Sequence, residues 1–254
     1  MPAKLTLSPM DSEQVLTRSC DGSKSCNATE YRQLVGCLMY ASVLTRGDIA
    51  HSVCMLSKYM HAPTERHMSQ ARRTLAWLAC TPDYGPTYGK SSVLSGWCDA
   101  DFCGDLDTRR SCSGRVFFLN GGPISWQSKM QSCTTDSSTE AEYVCLSKAG
   151  RLGQWLRQLV PDLGTPIVGP TRLHEDNAAA AKWAGGPCDF AKRRHIHRSY
   201  CTIDELVQGR EDGSGKTFEI WMVPADLQRA DLFTKSPGQE KHKIAAEMLF
   251  HSSD

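Results

Sequence analysis

Five carboxylates stand at places in the chain where a fold can gather them. Asp99 and Asp101 are two apart in VLSGWCDADF, a stretch of alternating strand formers, so both point to one face of a strand. Glu142 falls in the first turn of the helix that follows. Asp176 sits where a short strand gives way to an Ala-rich helix, and Asp231 in the first turn of a last helix expected to begin near Gln228. Neither His nor Cys shares a ligand spacing with these acids. Oxygen-only donor sets of this kind suit hard divalent ions such as Mg²⁺ or Mn²⁺. Two such ions about 3.5–4 Å apart stabilise the attacking and leaving oxygens of an in-line phosphoryl displacement. Each acid also has a structural reading: Asp176 as the N-cap of the Ala-rich helix, Asp231 as a complement to a helix dipole, Asp99 and Asp101 as solvated strand ends. Spacing leaves these readings open.

Glu142 is the acid hardest to explain structurally. TTDSSTEAEYVCLSKAGRLGQWLRQLV, residues 134–160, reads as one long amphipathic helix with Ala141, Cys145, Ala149, Leu152, Trp155 or Leu156, and Leu159 on a buried stripe. Ser137 and Glu140 have the spacing of a capping box, with Glu140 reaching back to the Ser137 amide from a solvated row shared with Ser147 and Arg151. Glu142 shares its row with Leu146 and Ala149, at the margin of the buried stripe. A carboxylate there is costly unless positive charge faces it.

Around these residues the pattern is that of an α/β fold. Three strands joined by short connections, VLSGWCDADF, RVFFLN and PISWQSK, predict an antiparallel meander ahead of the long helix. A strand at TRLHEDN, a helix from Asn177 to Ala184, a basic helix from about Lys192 to Val207, a strand at KTFEIWMVP and the last helix complete a mixed five-stranded sheet flanked by helices. A small helical segment precedes it. Residues 29–90 hold a helix with Leu34, Cys37, Leu38, Ala41 and Leu44 as its apolar stripe, a second helix capped by Asp48, and a third started by Thr64 and His67. His51, His61 and His67 are far from any acid pair and read as packing or surface residues. Residues 1–28 are polar and aperiodic, an extended or disordered lead-in, which leaves 91–254 as the α/β domain.

Composition narrows the class further. With 254 residues, 40% hydrophobic and 22% charged, the chain has room for a real core, and a net charge of +1 means that any basic footprint is local. Such footprints are Arg109, Arg110 and Arg115 near the turn after the acidic strand, and Lys192, Arg193, Arg194 and Arg198 on the basic helix. Groups of this kind hold phosphates without reading sequence, although a basic helix face is also often simply solvated. Trp126 and Trp183 are candidates for stacking on sugar or base, with a core role the stronger reading for Trp126. The twelve cysteines include no C-x-x-C pair, and the chain shows neither a signal-peptide pattern nor an apolar run near the ~18 residues of a membrane span. Reduced thiols, no membrane and a cytoplasmic or nuclear location are the expectation.

The motifs also carry a resemblance. DADFCGDLDTRRSCSG, ISWQSKMQSCTTDSSTEAEY, HEDN and ADLFTK, in that order, resemble the ribonuclease H domain of copia-type retrotransposon Pol polyproteins, and YRQLVGCLMYASVLTRGDIAHSV resembles the segment that joins it to the reverse transcriptase. The likeness runs over roughly residues 5–250. It implies a ribonuclease H-like fold and a two-metal-ion endonuclease that hydrolyses the RNA strand of RNA–DNA hybrids using Mg²⁺ or Mn²⁺. Asp99, Glu142, Asp176 and Asp231 match the family's catalytic and metal-binding acids, with Asp101 at most behind them. Implied partners are an RNA–DNA hybrid and the reverse-transcriptase portion of the same polyprotein, and the implied setting is a virus-like particle if the element is intact. DADF stands for the family's DADW, TRGDI for TRPDI and HIHRSYC for HID-x-x-YH, and Cys133–Asp136 replaces a short apolar stretch. No Tyr-x-Asp-Asp pair of a polymerase palm is present, so polymerisation is not expected of this chain. The alternative is a catalytically decayed module of this fold that binds nucleic acid or docks on a polymerase.

Overall fold

The computed structural model describes residues 8–18, 22–90, 92–186, 201–209 and 215–250. Helix α1 (Ala28–Leu44) starts where the Asn27 side chain accepts from the amides of Thr29 and Glu30. A 3₁₀ turn (Gly47–Ile49) leads into α2 (Ala50–Ser57), and the Thr64–His67 capping box opens α3 (Glu65–Cys80) as expected. The buried stripe of α1 is rotated from the expected one: Tyr31, Val35, Leu38 and Ser42 face inward while Cys37 and Leu44 are exposed. Tyr31 is on the inward stripe, and its hydroxyl donates to the Leu56 carbonyl (2.9 Å) inside the helical core. Residues 8–18 have no regular structure, yet Met10 and Leu16 are buried in that core and Tyr59 donates to the Leu16 carbonyl (2.8 Å).

Asp48 does not cap α2; Ile49 precedes that helix and no side chain caps it. The Asp48 carboxylate turns inward instead and accepts two bonds from Arg46 (2.9 and 2.7 Å) and one from the Trp77 indole (2.6 Å). Arg46 also donates to the carbonyl and hydroxyl of Thr81 (2.8 and 2.6 Å). The pair is almost completely buried and ties the 3₁₀ turn to α3. Trp77 in turn meets the His242 ring edge-on at 5.2 Å, which brings in the last helix.

The sheet follows the expected order. Strands β1 (Ser95–Asp101), β2 (Cys112–Leu119) and β3 (Gly122–Met130) form the antiparallel meander. Strand β4 (Thr171–Glu175) joins β1 in parallel and β5 (Phe218–Met222) joins β4 in parallel, giving the order β3-β2-β1-β4-β5. Helix α4 (Ser138–Asp162), α5 (Ala178–Gly185) and α6 (Thr202–Gln208) cover one face, around a core that includes Cys98, Phe117, Cys145, Ala149, Leu173, Ile203 and Phe218. On the other face Val116 and Phe118 meet Leu232, Phe233, Leu249 and Phe250. This is the ribonuclease H-like architecture that the resemblance implied.

One further expectation needs correction, and another can be followed only in part. The last helix does not begin near Gln228: the chain there makes 3₁₀ turns (Ala225–Leu227 and Arg229–Phe233), and α7 (Gln239–Phe250) starts only after Pro237. Of the basic helix expected from Lys192 to Val207, α6 is its C-terminal end; Lys192, Arg193, Arg194 and Arg198 lie outside the described residues. The ten cysteines among the described residues are all free thiols.

Replacing Asp48 by Ala strands the buried Arg46 guanidinium and is expected to lower unfolding free energy by about 3–5 kcal/mol. Urea denaturation monitored by circular dichroism measures the loss.

Candidate metal centre

Asp99 leaves β1 on the face away from α4, opposite Gly114 of β2 in register. A side chain at Gly114 would collide with the Ala230 carbonyl (2.8 Å) and with Thr234 and Phe233, so the bare backbone there lets the second 3₁₀ turn close onto the sheet. That turn carries Asp231, with Thr234 and Lys235 just beyond it, to the C-terminal half of β1. Glu142 comes from the start of α4. Ser137 receives the Glu140 amide (3.2 Å), and Glu140 itself is buried and accepts from the Asp136 amide (2.7 Å). The capping bond therefore goes one residue earlier than the expected Ser137 amide, and Glu140 is not on a solvated face. Asp176 follows β4. It does not cap α5, because Asn177 does, accepting from Ala179 and Ala180 (3.0 Å each). The cap thus leaves the neighbouring carboxylate unused by the helix.

Asp99, Glu142 and Asp176 converge: each offers a carboxylate oxygen, and these atoms all lie within 4.8 Å of one another. Asp99 and Glu142 are buried and Asp176 is half-buried. Glu142 Oε2 and Asp176 Oδ1 are shielded from solvent and accept no hydrogen bond among the described residues. No ion pair is present at Glu142 either, again among the described residues, so the positive charge it needs does not come from there. Buried oxygens left this way on an oxygen-only donor set fit a divalent cation. Asp231 stands beside this trio: its carboxylate takes the Lys235 ammonium at 2.9 Å, and the same ammonium lies 3.7 Å from Asp99. Thr234 donates a hydrogen bond to the Asp99 carboxylate. Asp101 points to the same side, half-buried, with its carboxyl pushed up by burial and by Asp231 against the pull of Lys235.

The electrostatics express the crowding. Burial pushes the Asp99 carboxyl up to about 7, with Asp231 and Asp176 adding to the rise and Lys235 and Thr234 opposing it. Burial pushes Glu142 up to about 12, reinforced by Glu175, Asp99, Cys145 and Asp176. For Lys235 burial pulls downward, but Asp99, Asp231 and Asp101 outweigh it and the ammonium is held charged.

Three participants were not singled out from the sequence. Glu175 is fully buried behind Asp176, taking the Asn177 amide (3.1 Å) and the Cys98 thiol (3.4 Å); burial raises its carboxyl well above the usual range. The adjacent acids of HEDN carry the signal, since alternate strand residues face opposite ways and one of two neighbours has to point inward. Lys235 and Thr234 belong to ADLFTK, where the Asp–Lys spacing of four is the signal.

The basic calls divide. Arg109 and Arg110 are exposed on the β1–β2 turn. That turn is fixed to the helical layer by Lys58, which lies 2.6 Å from the buried Asp105. Arg115 is not on the turn; it lies in β2, half-buried and opposite Cys98, on the face that α4 covers. Trp126 has the core role, donating to the Ser42 carbonyl (2.7 Å), and Trp183 packs edge-on against Tyr143 at 5.8 Å.

No family model matches the chain. Over 237 residues it is 37% identical to the retrovirus-related Pol polyprotein from transposon RE2 of Arabidopsis thaliana, covering 92% of this chain and 16% of that protein. It is 34% identical over 232 residues to the corresponding polyprotein from transposon TNT 1-94 of Nicotiana tabacum, covering 88% of this chain and 16% of that one. Over 128 residues, half of this chain and 90% of the relative, it is 42% identical to the secreted RxLR effector protein 161 of Plasmopara viticola. The chain thus spans about one sixth of the length of the two polyproteins.

A carboxyl whose folded pKa exceeds its unfolded value binds more protons when folded, so stability falls as pH rises between the two values. For Asp99 that window runs from 3.8 to about 7, and for Glu142 from 4.5 to about 12. Metal-free protein is therefore expected to melt at progressively lower temperature as pH rises from 5 to 9. Glu142→Gln is expected to flatten that slope and to stabilise the metal-free fold at pH 7 by on the order of 1 kcal/mol. Melts in a chelating buffer at three pH values measure both effects.

Proposed function

The chain belongs to the copia-type, retrovirus-related Pol polyproteins, and from that premise we propose that its α/β layer is a ribonuclease H-type endonuclease acting on the RNA strand of RNA–DNA hybrids. The observation that supports the reading best is the convergence of Asp99, Glu142 and Asp176 with two buried oxygens that accept no hydrogen bond among the described residues. These acids, with Asp231 at their edge, are the residues that would hold two Mg²⁺ or Mn²⁺ ions. The chemistry such ions supply is Lewis-acid activation of a phosphodiester and of the water that attacks it.

The chain's own residues prepare that chemistry. Thr234 and Lys235 fix the orientation of the Asp99 carboxylate and offset its charge. The burial of Glu142 excludes water from one side of the acids, which strengthens their hold on a cation. Arg109 and Arg110, exposed on the turn next to β1, would meet phosphates of a duplex in this reading. RNA is distinguished from DNA in such a reading by duplex shape and the 2′-hydroxyl. The remainder of a polyprotein has a face to meet as well, since Tyr40, Val43 and Leu44 of α1 are apolar and exposed.

Incubation with an end-labelled RNA–DNA hybrid and Mg²⁺ or Mn²⁺ is expected to cut the RNA strand only. Asp99→Asn is expected to slow cutting by on the order of 10²–10³-fold. Hybrid binding without any metal-dependent cutting would leave a nucleic-acid-binding module of the same fold, and absence of both would reject the reading.

A further inference from the structure

The β2–β3 ladder and α4 enclose a basic cavity that the acids do not use. Ser113 and Arg115 of β2 stand in register with Lys129 and Gln127 of β3, so all four side chains leave the sheet on the side that α4 covers. Lys148 and Arg151 of α4 form the facing wall, and the space between measures about 450 Å³. Among the described residues four cations line it and no carboxylate does. Arg115 Nε is buried and has no hydrogen-bond partner among the described residues. A shielded guanidinium donor in that state is costly unless an acceptor arrives from outside. Burial lowers the proton affinity of Lys148, Arg115 and Lys129 lower it further, and Cys145 and Cys133 oppose them. An oxyanion in the cavity would remove the repulsion and satisfy the guanidinium together.

Its position points to the source of that anion. Lys148 is six residues along α4 from Glu142, about 9 Å of helix rise. A duplex strand carries one phosphate per about 3.4 Å of its axis, so a strand whose reacting bond meets the acids has further phosphates at this range. We propose that the cavity between α4 and the β2–β3 ladder seats a backbone phosphate of the nucleic acid held at the acids, as a second anchor that sets the position of the duplex. The assignment rests on the nuclease reading and adds to it a specific docking point.

The test measures equilibrium binding of a labelled RNA–DNA hybrid by fluorescence anisotropy in Mg²⁺, in a full chain carrying Asp99→Asn so that the RNA survives. Lys129→Gln with Arg151→Gln, both exposed positions that leave the core untouched, is expected to weaken binding about 10-fold and to reduce the slope of log K against log salt by about 1. Lys129→Arg with Arg151→Lys is expected to restore most of the affinity. The melting temperature of the double Gln variant should match that of its parent. Unchanged affinity and salt slope in that variant, with the parent binding normally, would overturn the phosphate seat and leave the nuclease reading standing. A parent that does not bind the hybrid at all would overturn both.

Discussion

Carboxylates gathered within 4.8 Å of one another in a partly buried pocket repel each other, and no element that brings one there is stabilised by doing so. The acids are held in place by attachments made elsewhere. Strand β1 is clamped between β2 and β4, α4 is seated on the sheet through Cys145, Ala149 and Leu156, and the 3₁₀ turn with Asp231 is pressed against Gly114. Lys235 and Thr234 soften the repulsion at Asp99 from that same turn, so the segment that adds a fourth acid also adds the charge that tempers it. Glu142 receives no such help among the described residues, and its burial carries a cost that an added cation would offset.

The helical layer is joined to the sheet rather than appended to it. Ala246 of α7 lies in the core of the first three helices, while Leu249 and Phe250 of the same helix pack on β2 with Val116 and Phe118. The buried Arg46–Asp48 pair reaches α3 directly and α7 through Trp77 and His242. On the other side Lys58 of the helical layer anchors Asp105 in the turn that follows the acidic strand. The aspartates of GDLD are thereby structural: Asp105 accepts the Lys58 and Thr108 bonds, and Asp107 accepts the Tyr59 hydroxyl (3.2 Å) and the Arg18 amide (3.0 Å).

Periodicity made most of the fold legible. Alternation identified β1, β2 and β3, and the three-four spacing of α4 marked both its buried stripe and the awkward position of Glu142. What it missed has a common cause, namely tertiary contact overriding a local signal. Asp48 has the type and place of a cap, but a buried arginine two residues away is a stronger partner for it. The α1 stripe runs through Tyr31, Val35 and Leu38, with the Tyr31 hydroxyl bonded to Leu56 in the core, a register that competes in the sequence with the one through Leu34 and Leu44. The polar run Cys133–Asp136 looked foreign before a helix; in the fold the Thr135 hydroxyl meets that of Ser111 (3.1 Å) and the Asp136 amide serves the cap. The expected last helix near Gln228 passes over Pro237, which a helix interior does not accommodate, and the chain upstream of it keeps to 3₁₀ turns. Arg115 reads from the sequence as part of the basic cluster at the turn; the pairing with Cys98 places it within β2, on the α4 side.

The parallel pairing of β1 with β4 also orders events in time. The β1–β2–β3 meander uses contacts between near neighbours and can form as soon as residue 130 is available. Strand β4 reaches β1 only across the whole of α4, more than seventy residues later, and the turn bearing Asp231 comes later still. During synthesis the acids are therefore added to the pocket one at a time, Asp99 first and Asp231 last. A ribosome-bound chain that has not yet emitted Lys235 lacks the ammonium that tempers Asp99, so the gathered acids repel one another most strongly until this segment is finished.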